Sequence, residues 1–227
     1  MLRPNLARAL LSQLAIQGME PGEDPVFPGA RSQSLQAGRS LVTLVLEGVA
    51  ARQGARDPVC LGLVGPGDLL NFDAALGTGP DESALWLTRG RQVVISADSL
   101  IEAIDRDTLI ETALADMRRR METARAEVTR HAHGRVTERL AGLLLDIHAL
   151  GGATEVTLRQ SDLADLLAVR RAGISTAAGE LRATGAIRVR RAAILLADMA
   201  ALQRAAAGSV GEQAPHSTVT DLARLRG

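Results

Sequence analysis

Residues 157–198 read TLRQSDLADLLAVRRAGISTAAGELRATGAIRVRRAAILLAD. Ser161 precedes an acidic turn, so Ser161 or Thr157 is placed to cap a short helix by accepting from its unpaired N-terminal amides. Asp162 to Leu167 supplies that helix, with Leu163, Leu166 and Leu167 on one face. Ala168 and Val169 turn the chain into a second helix, whose buried side would be Ile174, Ala178 and Leu181. Two helices so spaced form a helix-turn-helix, in which the second presents its N-terminal residues to a major groove. The outward candidates are Arg170, Arg171, Gly173, Ser175 and Thr176. An arginine fork bonds O6 and N7 of guanine, worth about 1–3 kcal/mol of discrimination, whereas serine and threonine serve phosphate or several bases. Ala186 to Leu196 alternates and turns at Arg190 to Ala192, the pattern of a two-stranded wing. Arg190 and Arg191 are then expected on phosphate, and Arg159 and Gln160, beside the first helix, complete the DNA-binding set.

Charge supports this reading locally, not globally. The 26 basic side chains balance the 26 acidic ones across the chain. Between Thr157 and Arg191, however, Arg159, Arg170, Arg171, Arg182, Arg188, Arg190 and Arg191 face only Asp162, Asp165 and Glu180, a net charge of +4. Positive charge gathered on one small unit is the electrostatic footprint of a DNA reader. All the basic residues are arginine, which fits recognition chemistry and also fits a GC-rich genome.

Working outward, 227 residues exceed one domain of about 100–200 residues, so two modest domains are expected. No apolar run approaches the roughly 18 residues of a membrane span, and the start MLRPNLARALLSQLAIQ lacks the form of a secretory signal. These features predict a cytoplasmic protein with no membrane partner. Cys60 is the sole cysteine, which excludes an internal disulfide framework and any multi-thiolate metal or iron–sulfur site.

Asn5 to Ala15 predicts a short opening helix. From Gly18 to Ser96, short apolar runs (LVTLVLEGVA, VCLGLV, ALWLT, RQVVIS) alternate with Gly, Pro and Asp clusters, an all-β rhythm without helical crossovers. Beyond Asp98 the period becomes helical, and Asp107 to His131 contains neither Gly nor Pro. Leu114, Met117, Met121, Ala124 and Val128 recur at alternating spacings of three and four, the seam of a two-stranded coiled coil and hence of a homodimer. The competing reading packs this stripe on the chain's own β-domain. Gly134 breaks the helix, and a compact unit begins at Val136 with a helix to Leu150. After Leu202 the apolar periodicity fades. The expected division is a β-roll sensor-like domain over 1–106, a dimerisation helix over 107–133, a winged helix-turn-helix over 134–206 and a poorly ordered tail over 207–227.

VTERLAGLLLDIH (136–148) followed by 158–198 resembles, in order, the first C-terminal helix, helix-turn-helix and wing of the cAMP-receptor-protein/Fnr (Crp/Fnr) family of bacterial transcription regulators. That family includes one of the standard helix-turn-helix systems of the field. LVLEGVAA (44–51) and VGPGDLLNFDAALGTGPDESALW (64–86) are similar to its cyclic-nucleotide-binding β-roll, including a Gly67-Asp68 turn. The resemblance implies an α+β protein: an N-terminal cyclic-nucleotide-binding-like β-roll (jelly roll), a long dimerisation helix and a C-terminal winged helix-turn-helix. It implies double-stranded DNA with a palindromic operator as partner, a homodimer, and RNA polymerase as a further candidate partner.

Nucleotide-binding members carry a glutamate for the ribose and an arginine for the cyclic phosphate just after this turn. Phe72 and Glu82 align there, and Ser83 follows. A glutamate repels phosphate and a phenylalanine accepts no ribose hydroxyl bond, so the site is degenerate and cAMP is not expected to bind. No cofactor is expected. The alternative is a ligand-gated or haem-based sensor, for which His131, His133, His148 and Cys60 are the candidate ligands. None of the four histidines lies in the β-region, so a metal-dependent enzyme on a cupin-like roll has no ligand cluster to use.

Overall fold

The computed structural model describes residues 5–32, 34–36, 38–54, 58–77, 82–191 and 193–208. The expectations for 209–227 lie outside the described residues.

Helix α1 (Leu6–Ile16) starts at Asn5, whose side chain accepts from the Arg8 amide at 2.9 Å, and it buries Leu6, Ala7, Leu10 and Leu14. The β-region is antiparallel throughout. One sheet runs β1 (Glu23–Val26), β8 (Gly90–Ser96), β3 (Arg39–Glu47), β2 (Leu35–Gln36), with β6 (Leu69–Leu70) also pairing β3. The other runs β5 (Cys60–Val64), β4 (Ala50–Gly54), β7 (Glu82–Trp86). Trp86, Val45, Ala50, Val64, Leu70 and Ala84 fill the space between the sheets. Under the first sheet, Val42, Leu44 and Val93 pack with α1, with the 3₁₀ turn Phe72–Leu76 and with α2 (Ala97–Ala103).

The second sheet is covered on both faces. Ala50 points into the roll, while Ala51, Leu63 and Leu85 on the other face join the core of the C-terminal unit. This explains why β4 is buried nearly throughout instead of alternating.

Asp105 caps the 28-residue α3 (Arg106–His133) by accepting from the amide of Thr108 at 2.9 Å and from its hydroxyl at 2.7 Å. Those bonds, the backbone one foremost, hold the Asp105 carboxyl below its ordinary range. At 1.5 Å per residue α3 spans about 42 Å. Its two faces differ. Leu109, Thr112, Asp116 and Glu127 are buried and Arg119, Arg120 and Thr123 partly so, whereas Leu114, Met117, Met121, Ala124 and Val128 are exposed. The side of α3 that lies on the roll is therefore largely polar and ionic, while Leu114, Met117 and Met121 are exposed and Ala124 and Val128 border the space between α3 and β5.

Helix α4 (Val136–Gly151) ends on Gly152, whose φ of 66° only glycine adopts without strain. It is the spine of the C-terminal unit. Leu140, Leu143, Leu144 and Ile147 pack with Leu163, Leu166, Ile174, Leu181 and Ile187 in one continuous core. Helices α5 (Gln160–Leu166) and α6 (Arg171–Ala183) follow, then the hairpin β10 (Ile187–Arg190) and β11 (Ala193–Leu196). Two elements depart from the sequence expectation. β9 (Glu155–Val156) adds a third strand to the wing by pairing β11, and α7 (Met199–Ala207) continues past Leu202, where the apolar period fades. Asp198 caps α7, accepting from Ala201 at 3.0 Å, and α7 buries Ala201 and Leu202 in the core built around α4.

Candidate nucleic-acid interface

The cap of α5 differs from expectation. Arg159 occupies the N-cap, and Asp162, three residues on, accepts from the Arg159 amide at 3.3 Å. Ser161 already lies inside the helix and is exposed, and Thr157 precedes β-like backbone at Arg159. The reciprocal half of a capping box, from an acidic side chain at the third position, holds this end.

The turn is sharper than sequence spacing alone conveys. Ala168 adopts φ 50°, a left-handed conformation costing about 1–2 kcal/mol for a residue with a Cβ. Val169 donates to Ala164 at 2.9 Å, and Arg139 of α4 donates from beneath to the carbonyl of Leu167. Burial lowers the pKa of Arg139, partly offset by the charge of Glu127 in α3. Thr137 Oγ1 donates to Glu180 Oε2 at 2.5 Å, tying the start of α4 to α6. Neither Arg139 nor Glu180 stands out in the sequence, because each acts across elements far apart in the chain.

Ile174, Ala177, Ala178 and Leu181 form the buried stripe of α6. Opposite it Arg170, Arg171, Ser175 and Thr176 are exposed, with Arg182 at the far end. Gly173 is placed differently from the others. A Cβ there would meet Val136 at 3.8 Å and Val169 at 4.0 Å, ordinary contact distances, so this position faces the N-terminus of α4 and the turn. Thr176 donates its hydroxyl proton to the Ala172 carbonyl at 3.1 Å. Its oxygen is left to accept, and its methyl to touch a thymine methyl. The amides of α6's first turn carry the positive end of its dipole toward the same side, a setting that favours phosphate.

On the wing, Ile187 is buried and Arg188, Arg190 and Arg191 are exposed. Arg159 is exposed and Gln160 half-buried at the start of α5. An exposed cationic edge thus runs from α5 across the N-terminus of α6 to the hairpin, while Asp162 is engaged in a cap and Glu180 in the tie to Thr137.

Residues 138–205 match the sequence profile described as a Crp-like helix-turn-helix domain. The chain carries a Crp-like helix-turn-helix domain, that of a DNA-binding transcription regulator. Solved structures share the fold of this regulator over most of its length. TTHB099, a transcriptional regulator of the CRP family from Thermus thermophilus, superposes with TM-score 0.65 at 22% identity, over 81% of this chain and 96% of that one. TTHA1359, a CRP/FNR-family transcriptional regulator from the same organism, gives 0.65 at 21% identity over 82% and 98%. FixK2 from Bradyrhizobium japonicum gives 0.60 at 18% identity over 82% and 98%. At these identities the likeness establishes a common fold. A search of curated proteins gives no match. The regulator is a DNA-binding protein, and among its described residues no helix is long and apolar enough to cross a membrane.

In the regulator's roll the residues aligned with the nucleotide site lie on two elements, the 3₁₀ turn and β7. Phe72 begins the 3₁₀ turn fully buried against α1 and α2. Ser83 lies in β7 opposite Gln53, and of Glu82 only the backbone, paired with Gly54, is described. A cavity of about 420 Å³ opens between β5 and α3, walled by Val59, Leu61, Leu63, Thr123, Ala124 and Val128. Of the candidate haem ligands, His148 Nδ1 lies 3.0 Å from the Ala153 carbonyl at the end of α4, and Cys60 is buried in β5. The side chains of His131 and His133 lie outside the described residues.

Proposed function

We propose that this regulator is a homodimer that binds a near-palindromic operator in duplex DNA, placing α6 in two successive major grooves, and does so without cAMP. The observation that carries the reading is the pairing of two surfaces. An exposed cationic edge on α5, α6 and the wing faces outward, and an exposed apolar stripe on α3 is left uncovered by the chain's own roll. Leu114 is 61% exposed and Val128 68%, at the heptad spacing by which two copies of α3 would interdigitate. Two-fold pairing through α3 would set the half-sites about one helical turn, roughly 34 Å, apart. Arg170 and Arg171 would read bases, while Arg159, Gln160, Ser175, Thr176, Arg190 and Arg191 would serve position and phosphate. A transcriptional role makes RNA polymerase a further partner. The fully buried Phe72 supports the absence of cAMP binding, because the aligned position has no polar group to offer a ribose.

The test is genome-wide capture of duplex fragments by purified protein with no added ligand, repeated with Arg170→Ala and Arg171→Ala together. A palindromic motif recovered by the wild type and lost by the variant is expected. No enrichment at low salt would sink the reading. A second reading, in which an effector gates DNA binding, is favoured by the cavity beside α3. It requires capture to appear only when the effector is present.

A further inference from the structure

The contact between α3 and the roll is built largely from charges. Asp116 of α3 accepts from Arg52 of β4 at 3.4 Å, from Arg120 Nε at 2.6 Å and from Arg119 at 3.4 Å. Arg119 reaches on to Asp68 at 2.6 Å and Arg120 to Asp73 at 2.6 Å. Asp68 also accepts the Gly65 amide at 2.9 Å, and Arg52 donates to the Leu69 carbonyl. Three arginines and three aspartates thereby join β4, the Gly65–Asp68 turn, the 3₁₀ turn and α3.

This network is deep. The side chains of Asp68 and Asp116 are each 3% exposed and that of Arg52 is 6% exposed. Charges so placed persist only when they neutralise one another, and removing one partner leaves another buried and uncompensated. Arg52, Asp68, Arg119 and Arg120 also line the polar end of the cavity beside α3. A negatively charged effector entering there would have to displace Asp68 or Asp116 from the guanidinium groups they already occupy. The same helix carries Leu114, Met117 and Met121 exposed to solvent and leads through Gly134 and Arg135 into α4. Its seating on the roll therefore sets where both the seam and the DNA-binding unit begin.

We propose that Asp116 and Arg119 are positioning residues that seat α3 on the roll without an effector, so that the geometry for operator binding is fixed by an internal ion network in the place of a ligand. This rests on the reading of the protein as an operator-binding dimer and assigns its mode of regulation.

Cys60 supplies an internal reporter. It is the only thiol in the chain, is 4% exposed, and lies in the wall of the cavity under α3. The experiment measures, on full-length protein, the rate at which Cys60 reacts with a chromogenic aromatic disulfide and the affinity for the captured duplex, with and without cAMP. The wild type is expected to react slowly and to bind equally with and without cAMP. Asp116→Asn and Arg119→Gln are expected to speed the Cys60 reaction and weaken duplex binding by about ten-fold each, with Arg119→Lys between them and the wild type. Fluorescence of Trp86, the only tryptophan, verifies that the roll stays folded. Should either neutral variant unfold, Arg119→Lys decides by the same two readouts. Folded variants with the wild-type Cys60 rate and duplex affinity would overturn the proposal, as would wild-type affinity that rises about ten-fold with cAMP. Wild type that captures no duplex, while its Cys60 rate still responds to the variants, sinks the operator reading and leaves the ionic seating of α3 standing.

Discussion

A Cβ built on Gly62 of β5 would lie 2.5 Å from Cγ2 of Thr123 in α3, and Gly62 itself holds φ +145°. The strand and the helix therefore touch backbone to side chain, with no room for a methyl group at the crossing. Gly62→Ala is expected to cost about 1–3 kcal/mol in a denaturant titration. Thr123→Ser in that background removes the clashing carbon and keeps the hydroxyl that donates to the Arg119 carbonyl at 2.9 Å, so it should restore most of the loss. The part that remains measures the strain at φ.

The exposed stripe on α3 predicts a separable assembly defect. Met117 and Met121 are 55% and 51% exposed, so charge there costs the single chain little. Leu114→Glu with Met121→Glu should give folded monomers in sedimentation equilibrium, with thermal unfolding that no longer depends on protein concentration. A variant that sediments like the wild type would remove the seam from this stripe.

Base reading and phosphate positioning should respond differently. Arg170→Ala or Arg171→Ala is expected to lose about 1–3 kcal/mol of discrimination at one base pair of each half-site, measured by competition between duplexes. Arg190→Ala should instead weaken all duplexes alike and reduce the slope of log affinity against log salt by about 1 per half-site.

At the start of α3, the amide and hydroxyl of Thr108 depress the carboxyl pKa of Asp105. A depressed pKa means that the charged form stabilises the fold above the unfolded-state value, and that this contribution is lost as pH falls through the folded value. Asp105→Ala should lower the Tm by about 2–4 °C at neutral pH. The gap should close below pH ~4, and Asp105→Asn, which retains a capping acceptor, should stay near the wild type at neutral pH.

Arg139 underpins the helix-turn-helix turn through the Leu167 carbonyl. Arg139→Ala leaves that buried acceptor unpaired and should cost about 1–3 kcal/mol. Arg139→Met keeps the apolar stem and should cost less. Amide exchange at Leu167 to Val169, followed by NMR, should quicken more in the alanine variant if the turn itself loosens.

Much of the architecture is legible because it follows local periodicity. Leu163, Leu166, Ile174, Ala178 and Leu181 sit at spacings that admit only one buried side, and all five are buried. The short apolar runs up to Ser96 pair as antiparallel strands for the same reason. Local pattern fails where contrast is weak. MAALQRAAA offers little difference between its faces, so α7 becomes visible only through Ala201 and Leu202 packing into the core around α4. Helix position gives Gly173 an outward role and alignment gives Phe72 a ligand-facing one, and their neighbours place both against the protein's own core or helices.

The sequence by itself determined that a long helix with an apolar heptad stripe joins a β-rich unit to a helix-turn-helix, since both periods are written into adjacent residues. Only the tertiary structure decided which face of that helix lies on the roll. Hydrophobicity alone would turn Leu114, Met117 and Met121 inward. The chain instead buries Asp116 and Arg119 there, because Arg52, 64 positions before Asp116, and Asp68 neutralise them across the contact. That compensation is a property of distances between distant residues, and no local pattern contains it.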